Sequence, residues 1–191
     1  MKVVAFNGSP RKEGNTSILI NHVLGELTKE GIETEVVQVG GKKIKGCIAC
    51  FKCMENKDQR CAVDNDILNE CVAKMIDADG ILLGSPVYFS DVTAEMKALM
   101  DRSGLVGMAN GYMYKRKVGA AVAAVRRAGS VRTLDTMNHL FQYHQMIVPG
   151  SSYWNMGFGM MPGEVEKDEE GVGTMQTLGQ NMAWLLKKLN G

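Results

Sequence analysis

Short apolar runs alternate with stretches of helical periodicity along the whole chain, and this alternation constrains the fold more than any other feature. Parallel strands need long crossover connections, and a helix is the usual crossover. The pattern therefore predicts an α/β fold, a doubly wound five-stranded parallel sheet with helices on both faces. The runs that we predict to be strands are residues 3–6, 35–39, 80–84, 117–125 and 145–150, the last reading QMIVPG.

Helices are predicted where apolar residues recur at spacings of three and four. The first ends at Gly31, and the second begins near Asp64 or Asp66, either of which we expect to be its cap. Ser90 or Asp91 is expected to cap the third. The apolar faces of the five helices are marked by Ile20, Val23, Leu24 and Leu27; Ile67, Leu68, Cys71, Val72, Met75 and Ile76; Val92, Met96, Leu99 and Met100; Leu134, Met137 and Phe141; and Met175, Leu178, Met182, Leu185, Leu186 and Leu189.

Composition narrows the classes of function. At 191 residues the chain fits one domain, residues 1–191, and needs no disulfides to fold. An apolar fraction of 45% with 23% charged residues is typical of a soluble globular protein, and no apolar run is long enough for a membrane span. The N-terminus MKVVAFNGSP lacks the features of a signal peptide, so we expect a cytoplasmic protein. A net charge of +1, with acids and bases interspersed, argues against a nucleic-acid partner.

The loop after the first strand, GSPRKEGNTS at residues 8–17, combines glycines, hydroxyls and an amide ahead of a helix. A helix N-terminus presents unpaired N–H groups and the positive end of the helix dipole, which favour an anion. The triphosphate-binding pattern would need a lysine where this chain has Asn15, and the dinucleotide fingerprint G-x-G-x-x-G is absent. The loop therefore predicts a site for a monophosphate held mainly by neutral donors. An ordinary polar turn with a helix cap is the alternative.

Four of the five cysteines fall within residues 46–61, GCIACFKCMENKDQRC, in the pattern C-x2-C-x2-C-x7-C. A structural zinc site usually joins two well-separated C-x2-C pairs, whereas three thiols at two-residue intervals resemble a ferredoxin run. Cys47, Cys50, Cys53 and Cys61 are therefore predicted to hold a 4Fe-4S cluster. Zinc, and thiols without metal, are the alternatives. Cys71 lies on the apolar face of a predicted helix and is expected to be a buried core residue.

Two stretches together carry a family resemblance. GSPRKEGNTS, followed by GSPVYFSDVTAEMKALMDR at residues 84–102, resembles the flavodoxin-like NAD(P)H-dependent FMN reductases over nearly the whole chain. The cysteine segment, which closes in CAVDND at residues 61–66, resembles the iron–sulfur flavoprotein branch of that family. The resemblance implies a flavodoxin-like fold and an FMN site. It places Ser9, Arg11, Asn15, Thr16 and Ser17 at the phosphate, and Pro86, Val87, Tyr88 and Phe89 beside the isoalloxazine ring.

One stretch departs from the family pattern. Relatives usually have a glycine-rich loop after the fourth strand, but this chain has VRRAGS at residues 125–130, in which only Ala128 and Gly129 remain small. We expect Gly129 to lie near the flavin. Arg126 or Arg127 is expected to face the pyrimidine edge of the ring or the phosphate of an incoming nucleotide, unless the two are solvated surface arginines. The matched stretch also contains three residues expected to be structural or at a subunit contact, Lys97, Asp101 and Arg102.

These features together predict an FMN-dependent redox flavoprotein that carries an iron–sulfur cluster. No catalytic side chain is predicted, because the flavin carries out the chemistry and the protein binds and orients it. Ferredoxin or NAD(P)H is expected as the electron donor, and a homodimer or homotetramer is expected because the cluster of one subunit would serve the flavin of another. The alternatives are an NAD(P)H-dependent FMN or quinone reductase without a cluster, a flavodoxin-like electron carrier, and a zinc-stabilised regulatory module.

Overall fold

Strands and helices alternate along the chain, and the strands form one central sheet. The computed structural model describes all residues from 1 to 191. A short 3-10 helix, Glu164–Lys167, precedes the last α-helix. In chain order the elements are β1 (Lys2–Asn7), α1 (Asn15–Lys29), β2 (Glu33–Gln38), α2 (Lys52–Asn56), α3 (Leu68–Asp77), β3 (Gly80–Pro86), α4 (Ala94–Ala109), β4 (Val118–Val125), α5 (Ser130–Tyr143), β5 (Met156–Phe158) and α6 (Glu169–Asn190).

The sheet has the strand order β2-β1-β3-β4-β5, and every neighbouring pair is parallel. From β1 the chain first adds β2 on one side and then crosses back to add β3 on the other side. The direction of winding therefore reverses between β1 and β3, and such a reversal opens a crevice beyond the carboxyl ends of the two strands. The predicted fold class, a doubly wound five-stranded parallel sheet with helices on both faces, is confirmed.

Side chains of the central strands alternate between two apolar cores, one on each face of the sheet. Val4 and Phe6 of β1 pack on the face covered by α3, α4 and α5, whereas Val3 and Ala5 pack on the face covered by α1 and α6. All eight residues of β4 are buried. Burial on both faces explains why the central strands are continuous apolar runs rather than alternating ones.

The fifth strand lies later in the chain than the sequence predicts. The predicted run at residues 145–150 is not a strand, and β5 instead begins at Met156. Ile147 makes a single bridge to Val118 at the start of β4, while β5 pairs with the other end of β4. Pro149 ends the first pairing because it has no N–H to donate to a neighbouring strand. The prediction was wrong because the apolar run pairs only with the start of β4. The chain then leaves the sheet and returns at Met156 to pair with the end of β4.

The start of α4 also differs from the prediction. Ser90 and Asp91 belong to a turn that precedes the helix, and Thr93 is the N-cap. The Thr93 hydroxyl accepts a hydrogen bond from the Met96 N–H at 3.4 Å and donates one to the Gly8 carbonyl at 2.9 Å. The cap therefore also ties α4 to the loop after β1. The short helix α2 was not predicted, because its five residues are too few to show a period.

The longest helix, α6, has 22 residues and closes the fold against α1. Its buried face includes Met175, Leu178 and Met182, as the sequence predicts, and the opposite face carries exposed residues such as Trp184. The helix is thus amphipathic rather than apolar all round. Neither α6 nor any other helix combines the length and the apolar character needed to cross a membrane.

Candidate functional site

A cavity of about 190 Å³ opens beyond the carboxyl ends of β1, β3 and β4. A wider groove lies between α4 and α5, but only this cavity is walled by the loops at which the sheet topology places a ligand. Eight of the eleven residues predicted to bind FMN line it, with three that were not predicted. The eight are Ser9, Arg11, Asn15, Thr16, Pro86, Val87, Tyr88 and Arg126, and the other three are Ala124, Gly159 and Met160.

The first turn of α1 is open to an anion. Gly14 precedes the helix and offers no side-chain cap, and the first turn contains no acidic residue. Ser9 and Thr16 are both buried here, and the Thr16 hydroxyl has no hydrogen-bond partner. A buried polar group without a partner costs about 1–3 kcal/mol. A ligand oxygen that accepts a hydrogen bond from Thr16 would recover this energy, so the residues present fit a phosphate group.

Two of the residues predicted to bind the phosphate also secure a neighbouring segment. The Asn15 side-chain amide donates a hydrogen bond to the Met161 carbonyl at 3.0 Å, and the Arg11 guanidinium donates one to the Met160 carbonyl at 3.1 Å. Both hold the connection between β5 and α6 at the edge of the cavity. Ser17, the fifth predicted phosphate residue, is half-buried on α1 and does not line the cavity.

The wall predicted to face the flavin ring is formed by a tight turn after β3. Backbone hydrogen bonds of 2.8 and 3.0 Å pair Tyr88 with Asp91, and the two residues at the tip, Phe89 and Ser90, have positive φ angles of 48° and 63°. Such angles are uncommon for residues other than glycine. The other three residues predicted to border the ring line the cavity, but Phe89 is fully exposed and lies outside it.

Gly129 supports this turn from the loop after β4. It has a φ angle of +93°, and a Cβ atom added there would lie 2.9 Å from the Cα atom of Ser90 and 3.0 Å from Cγ1 of Val87. Only glycine combines this backbone angle with so close an approach. Gly129 therefore shapes the turn from outside the cavity. Of the two arginines before it, both exposed, Arg126 lines the cavity and Arg127 does not.

Two of the lining residues that sequence reasoning missed, Gly159 and Met160, come from the connection after β5. Misplacing the fifth strand hid the fact that this connection also reaches the carboxyl edge of the sheet. The available signal was the short run MGFGMM at residues 156–161, in which apolar residues alternate with glycines. The Glu164 carboxylate accepts hydrogen bonds from the N–H groups of Met161 and Met160, each at 2.8 Å, and these bonds lower its pKa. The connection is therefore held in a defined shape.

A second, smaller cavity brings the four clustered cysteines together. Its volume is about 20 Å³, room for one or two water molecules, and its walls are mainly apolar. Cys47 and Cys50 are exposed, Cys61 is half-buried, and Cys53 is buried. Burial raises the pKa of the Cys53 thiol. Cys71 lies apart in the core, as predicted, and burial raises the pKa of its thiol to about 12.

The donor set of this cavity fits an iron–sulfur cluster, because such clusters are held by four cysteine thiolates. No three of the His, Cys, Asp and Glu side chains are arranged to hold a single metal ion. A group larger than the cavity would need its walls to move outwards. Cys47 and Cys50, on the outer side of the cavity, lie in exposed chain without regular secondary structure.

The cysteine segment, residues 46–61, is bent sharply and fixed at its far end. Cys61 donates its N–H to the Asn69 side-chain oxygen at 2.8 Å and accepts a hydrogen bond from the Asn69 amide at 2.9 Å. This reciprocal pair ties the end of the segment to α3. Four non-glycine residues in the segment have φ angles between 51° and 62°, namely Ala49, Phe51, Lys57 and Gln59.

A parallel sheet with an open helix N-terminus at its reversal point and a cavity beyond it defines a flavodoxin-like nucleotide-binding protein. Residues 1–160 match the family model described as NADPH-dependent FMN reductase. The chain is 40% identical over 194 residues to an iron-sulfur flavoprotein of Methanocaldococcus jannaschii, with 98% of each chain covered. It is 36% identical over 182 residues to one of Methanosarcina thermophila, covering 94% of this chain and 91% of the relative. The chain belongs to the NADPH-dependent FMN reductase family, in its iron–sulfur flavoprotein branch, and it is a flavin-dependent oxidoreductase.

Solved structures agree on the fold. RosB with bound 8-demethyl-8-formylriboflavin-5′-phosphate superposes with a TM-score of 0.78 at 19% identity, covering 99% of this chain and 80% of RosB. A flavodoxin, WrbA-like protein from Agrobacterium tumefaciens superposes with a TM-score of 0.68 at 14% identity, covering 98% and 97%. At these identities the likeness establishes the flavodoxin-like architecture.

Proposed function

We propose that this chain is a cytoplasmic electron-transfer flavoprotein that binds FMN in the cavity beyond β1, β3 and β4 and a 4Fe-4S cluster in the cysteine segment. It transfers electrons from ferredoxin or NAD(P)H to an acceptor. The observation that carries the proposal is that all four clustered cysteines line one cavity. The N-terminus of α1, at the reversal point of the sheet, supports it further, because it has no side-chain cap and the buried Thr16 hydroxyl there has no partner.

FMN, when bound, supplies the redox chemistry, because it can accept two electrons and release them singly. The residues of the chain bind and orient it. The N–H groups of the first turn of α1 and the hydroxyls of Ser9 and Thr16 donate hydrogen bonds to the phosphate, and the Arg11 guanidinium adds positive charge. The turn after β3 forms the wall for the ring. None of these residues acts as a nucleophile in the proposed function.

The four cysteines supply the ligands of the cluster. Thiols must lose their protons to bind metal, so loading of the site releases protons. The mainly apolar walls of the cavity reduce access of water to the buried ligand, Cys53. The depth of burial differs among the ligands, with Cys53 on the inner side and Cys47 and Cys50 on the outer side.

An NAD(P)H-dependent FMN or quinone reductase without a cluster is the second candidate. The small volume of the cysteine cavity, about 20 Å³, favours it. Arg126 also favours it, because this exposed cation at the wall of the FMN cavity can pair with the phosphate of an incoming nicotinamide nucleotide. This candidate requires fast bleaching of the flavin by NADPH or NADH and no acid-labile sulfide.

The proposal includes assembly as a homodimer or homotetramer. The FMN cavity and the cysteine cavity share no lining residue. Because the two sites are separate within one chain, the cluster of one subunit can serve the flavin of another.

Anaerobic purification followed by absorbance, iron and sulfide analysis tests the proposal. We expect bound FMN. We also expect iron and acid-labile sulfide, with as much sulfide as iron. Flavin without sulfide would leave the reductase as the better candidate. A protein that stays colourless with excess FMN, or that contains zinc in place of iron, would refute the electron-transfer proposal.

Cys50→Ala separates the two sites, with Cys71→Ala as the matched control. The first variant removes one predicted ligand, so it should lose its iron and keep FMN bound. The second removes a thiol from the core, so it should keep both groups despite lower stability. Full iron content in Cys50→Ala would exclude that cysteine as a ligand.

A further inference from the structure

Arg102 is a buried cation that contacts the chain on both sides of the clustered cysteines. It is only 1% exposed. Its guanidinium donates hydrogen bonds to the Lys45 carbonyl at 3.0 Å and to the Val63 carbonyl at 2.6 Å. Lys45 precedes Cys47, and Val63 follows Cys61. Arg102 therefore joins α4 to both ends of the cysteine segment.

The same guanidinium also reaches a predicted ligand. Its Nη2 donates a hydrogen bond to the sulfur atom of Cys61 at 3.3 Å, and Arg102 lines the cysteine cavity. Arg102 is the only charged residue among the eleven that line this cavity. Any negative charge placed on the Cys61 sulfur is therefore next to a buried positive charge.

Asp66 balances this charge. Its fully buried side chain accepts a hydrogen bond from Nη1 of Arg102 at 2.5 Å. Burial raises the pKa of the Asp66 carboxyl, but hydrogen bonds from Arg102 and from the N–H groups of Lys45 and Leu68 more than offset this and hold the pKa below its ordinary value. Both charges therefore persist inside the protein.

Stability alone does not explain this ion pair. Removing two charges from water is unfavourable, and well-packed apolar residues often stabilise a protein as well as a buried ion pair or better. The pair does hold the positively charged Arg102 guanidinium beside one ligand sulfur, with Asp66 bonded to its other terminal nitrogen. Hydrogen bonds to ligand sulfurs and net charge are among the factors that set the reduction potential of iron–sulfur centres. Reduction adds one negative charge, which a neighbouring cation stabilises.

We propose that Arg102 is a positioning residue that orders the cysteine segment and raises the reduction potential of the centre held by Cys47, Cys50, Cys53 and Cys61. This inference rests on the proposed cluster. It gives Arg102 a function beyond the structural role or subunit contact expected for the stretch that contains it. We infer in addition that Arg102 still donates its hydrogen bond to the Cys61 sulfur when the cluster is bound.

The test is a redox titration of the anaerobically prepared protein, monitored by electron paramagnetic resonance of the cluster. Arg102→Lys keeps a positive charge but cannot reproduce the forked contacts of the guanidinium. The double variant Arg102→Met, Asp66→Asn removes both charges, so no carboxylate is left buried without a partner. Lys97→Gln is the control, because it removes an exposed cation that pairs with Asp101 on the same helix.

We expect the double variant to have a more negative reduction potential than the wild type. The equilibrium constant for reduction should fall about tenfold, which corresponds to about 59 mV for one electron. Arg102→Lys should lie between it and the wild type, and Lys97→Gln should match the wild type. If the double variant fails to fold, Arg102→Lys decides the matter, since its potential must still be lower than that of the wild type.

A purely structural role for Arg102 predicts a different result. Iron content would fall in the variants, while the clusters that remain would keep the wild-type potential and spectrum, and that outcome overturns the inference. A wild-type protein without iron would instead refute the proposed cluster, and the inference would fall with it. The iron content of the wild type thus distinguishes the two failures.

Discussion

At the scale of single residues, Thr16 is the sharpest test of the FMN site. Its buried hydroxyl is the only unpartnered buried side-chain polar atom among the residues that line the cavity. Thr16→Val keeps the shape of the side chain and removes the hydrogen-bond donor. A hydrogen bond to a charged group is worth about 1.5–3 kcal/mol, so we expect the Kd for FMN to rise about 10- to 150-fold. Titration of flavin-free protein with FMN, followed by fluorescence, measures the change.

Thr28→Val is the matched control for this prediction. Thr28 lies on the same helix, and its hydroxyl donates a hydrogen bond to the Leu24 carbonyl at 2.9 Å, away from the cavity. The control should bind FMN as the wild type does. If Thr16→Val also binds FMN with wild-type affinity, the phosphate does not lie at the head of α1.

The loop after β1 was predictable as a group of residues but not residue by residue. A loop rich in glycine and hydroxyls between a strand and a helix predicts an anion site, and four residues of this loop line the cavity. The sequence does not show which donors are already engaged. Asn15 and Arg11 also bond to carbonyl groups about 150 positions away in the chain, and no local pattern reveals a contact of that range.

At the scale of secondary-structure elements, Gly129 controls the turn after β3. Gly129→Ala would force a Cβ atom against Ser90 and Val87 and would place alanine at a φ angle of +93°. The left-handed conformation alone costs about 1–2 kcal/mol for a residue with a Cβ. We expect a lower Tm and weaker FMN binding, because relief of the clash displaces the turn that lines the cavity. Thermal unfolding and FMN titration test both effects.

Gly25→Ala is the matched control, with an effect of opposite sign on stability. Gly25 lies inside α1, and a Cβ atom there would meet nothing within 4 Å. Alanine in a helix interior is favoured over glycine by about 0.5–1 kcal/mol, so this variant should unfold at a higher temperature with unchanged FMN affinity. A Gly129→Ala variant with wild-type stability would show that the turn can move without cost.

Elements with a complete local signal were predicted well, and those defined by tertiary pairing were not. β1, β3 and β4 are apolar runs bounded by glycine or polar residues, and α1, α3 and α6 show a clear helical period. β5 has only three residues and owes its place to pairing with the end of β4. The cap at Thr93 was missed because the turn at Phe89 and Ser90 depends on Gly129, which is distant in sequence.

At the scale of the whole molecule, exposed apolar side chains gather around the mouth of the FMN cavity. Tyr88 and Met160 line the cavity and are about half exposed, and Phe89 and Met161, adjacent to them in the chain, are also exposed. Exposed apolar patches often mark sites of association. We therefore expect sedimentation velocity to show a dimer or tetramer. Electron transfer from the donor should decline when dilution dissociates the assembly, whereas a monomer with full activity would contradict the proposed exchange between subunits.

Helix α4 connects the loop after β1 to the cysteine segment, and the number of residues between its two contacts sets their relative position. Thr93 bonds the start of the helix to the loop after β1, and Arg102 holds the cysteine segment further along. One extra residue between them would advance the helix by about 1.5 Å and rotate Arg102 by about 100°. That rotation would carry the guanidinium away from Cys61 altogether. The length of the helix therefore fixes the position of Arg102 relative to the loop after β1, and we expect an insertion or deletion within α4 to be more disruptive than a substitution on its exposed surface.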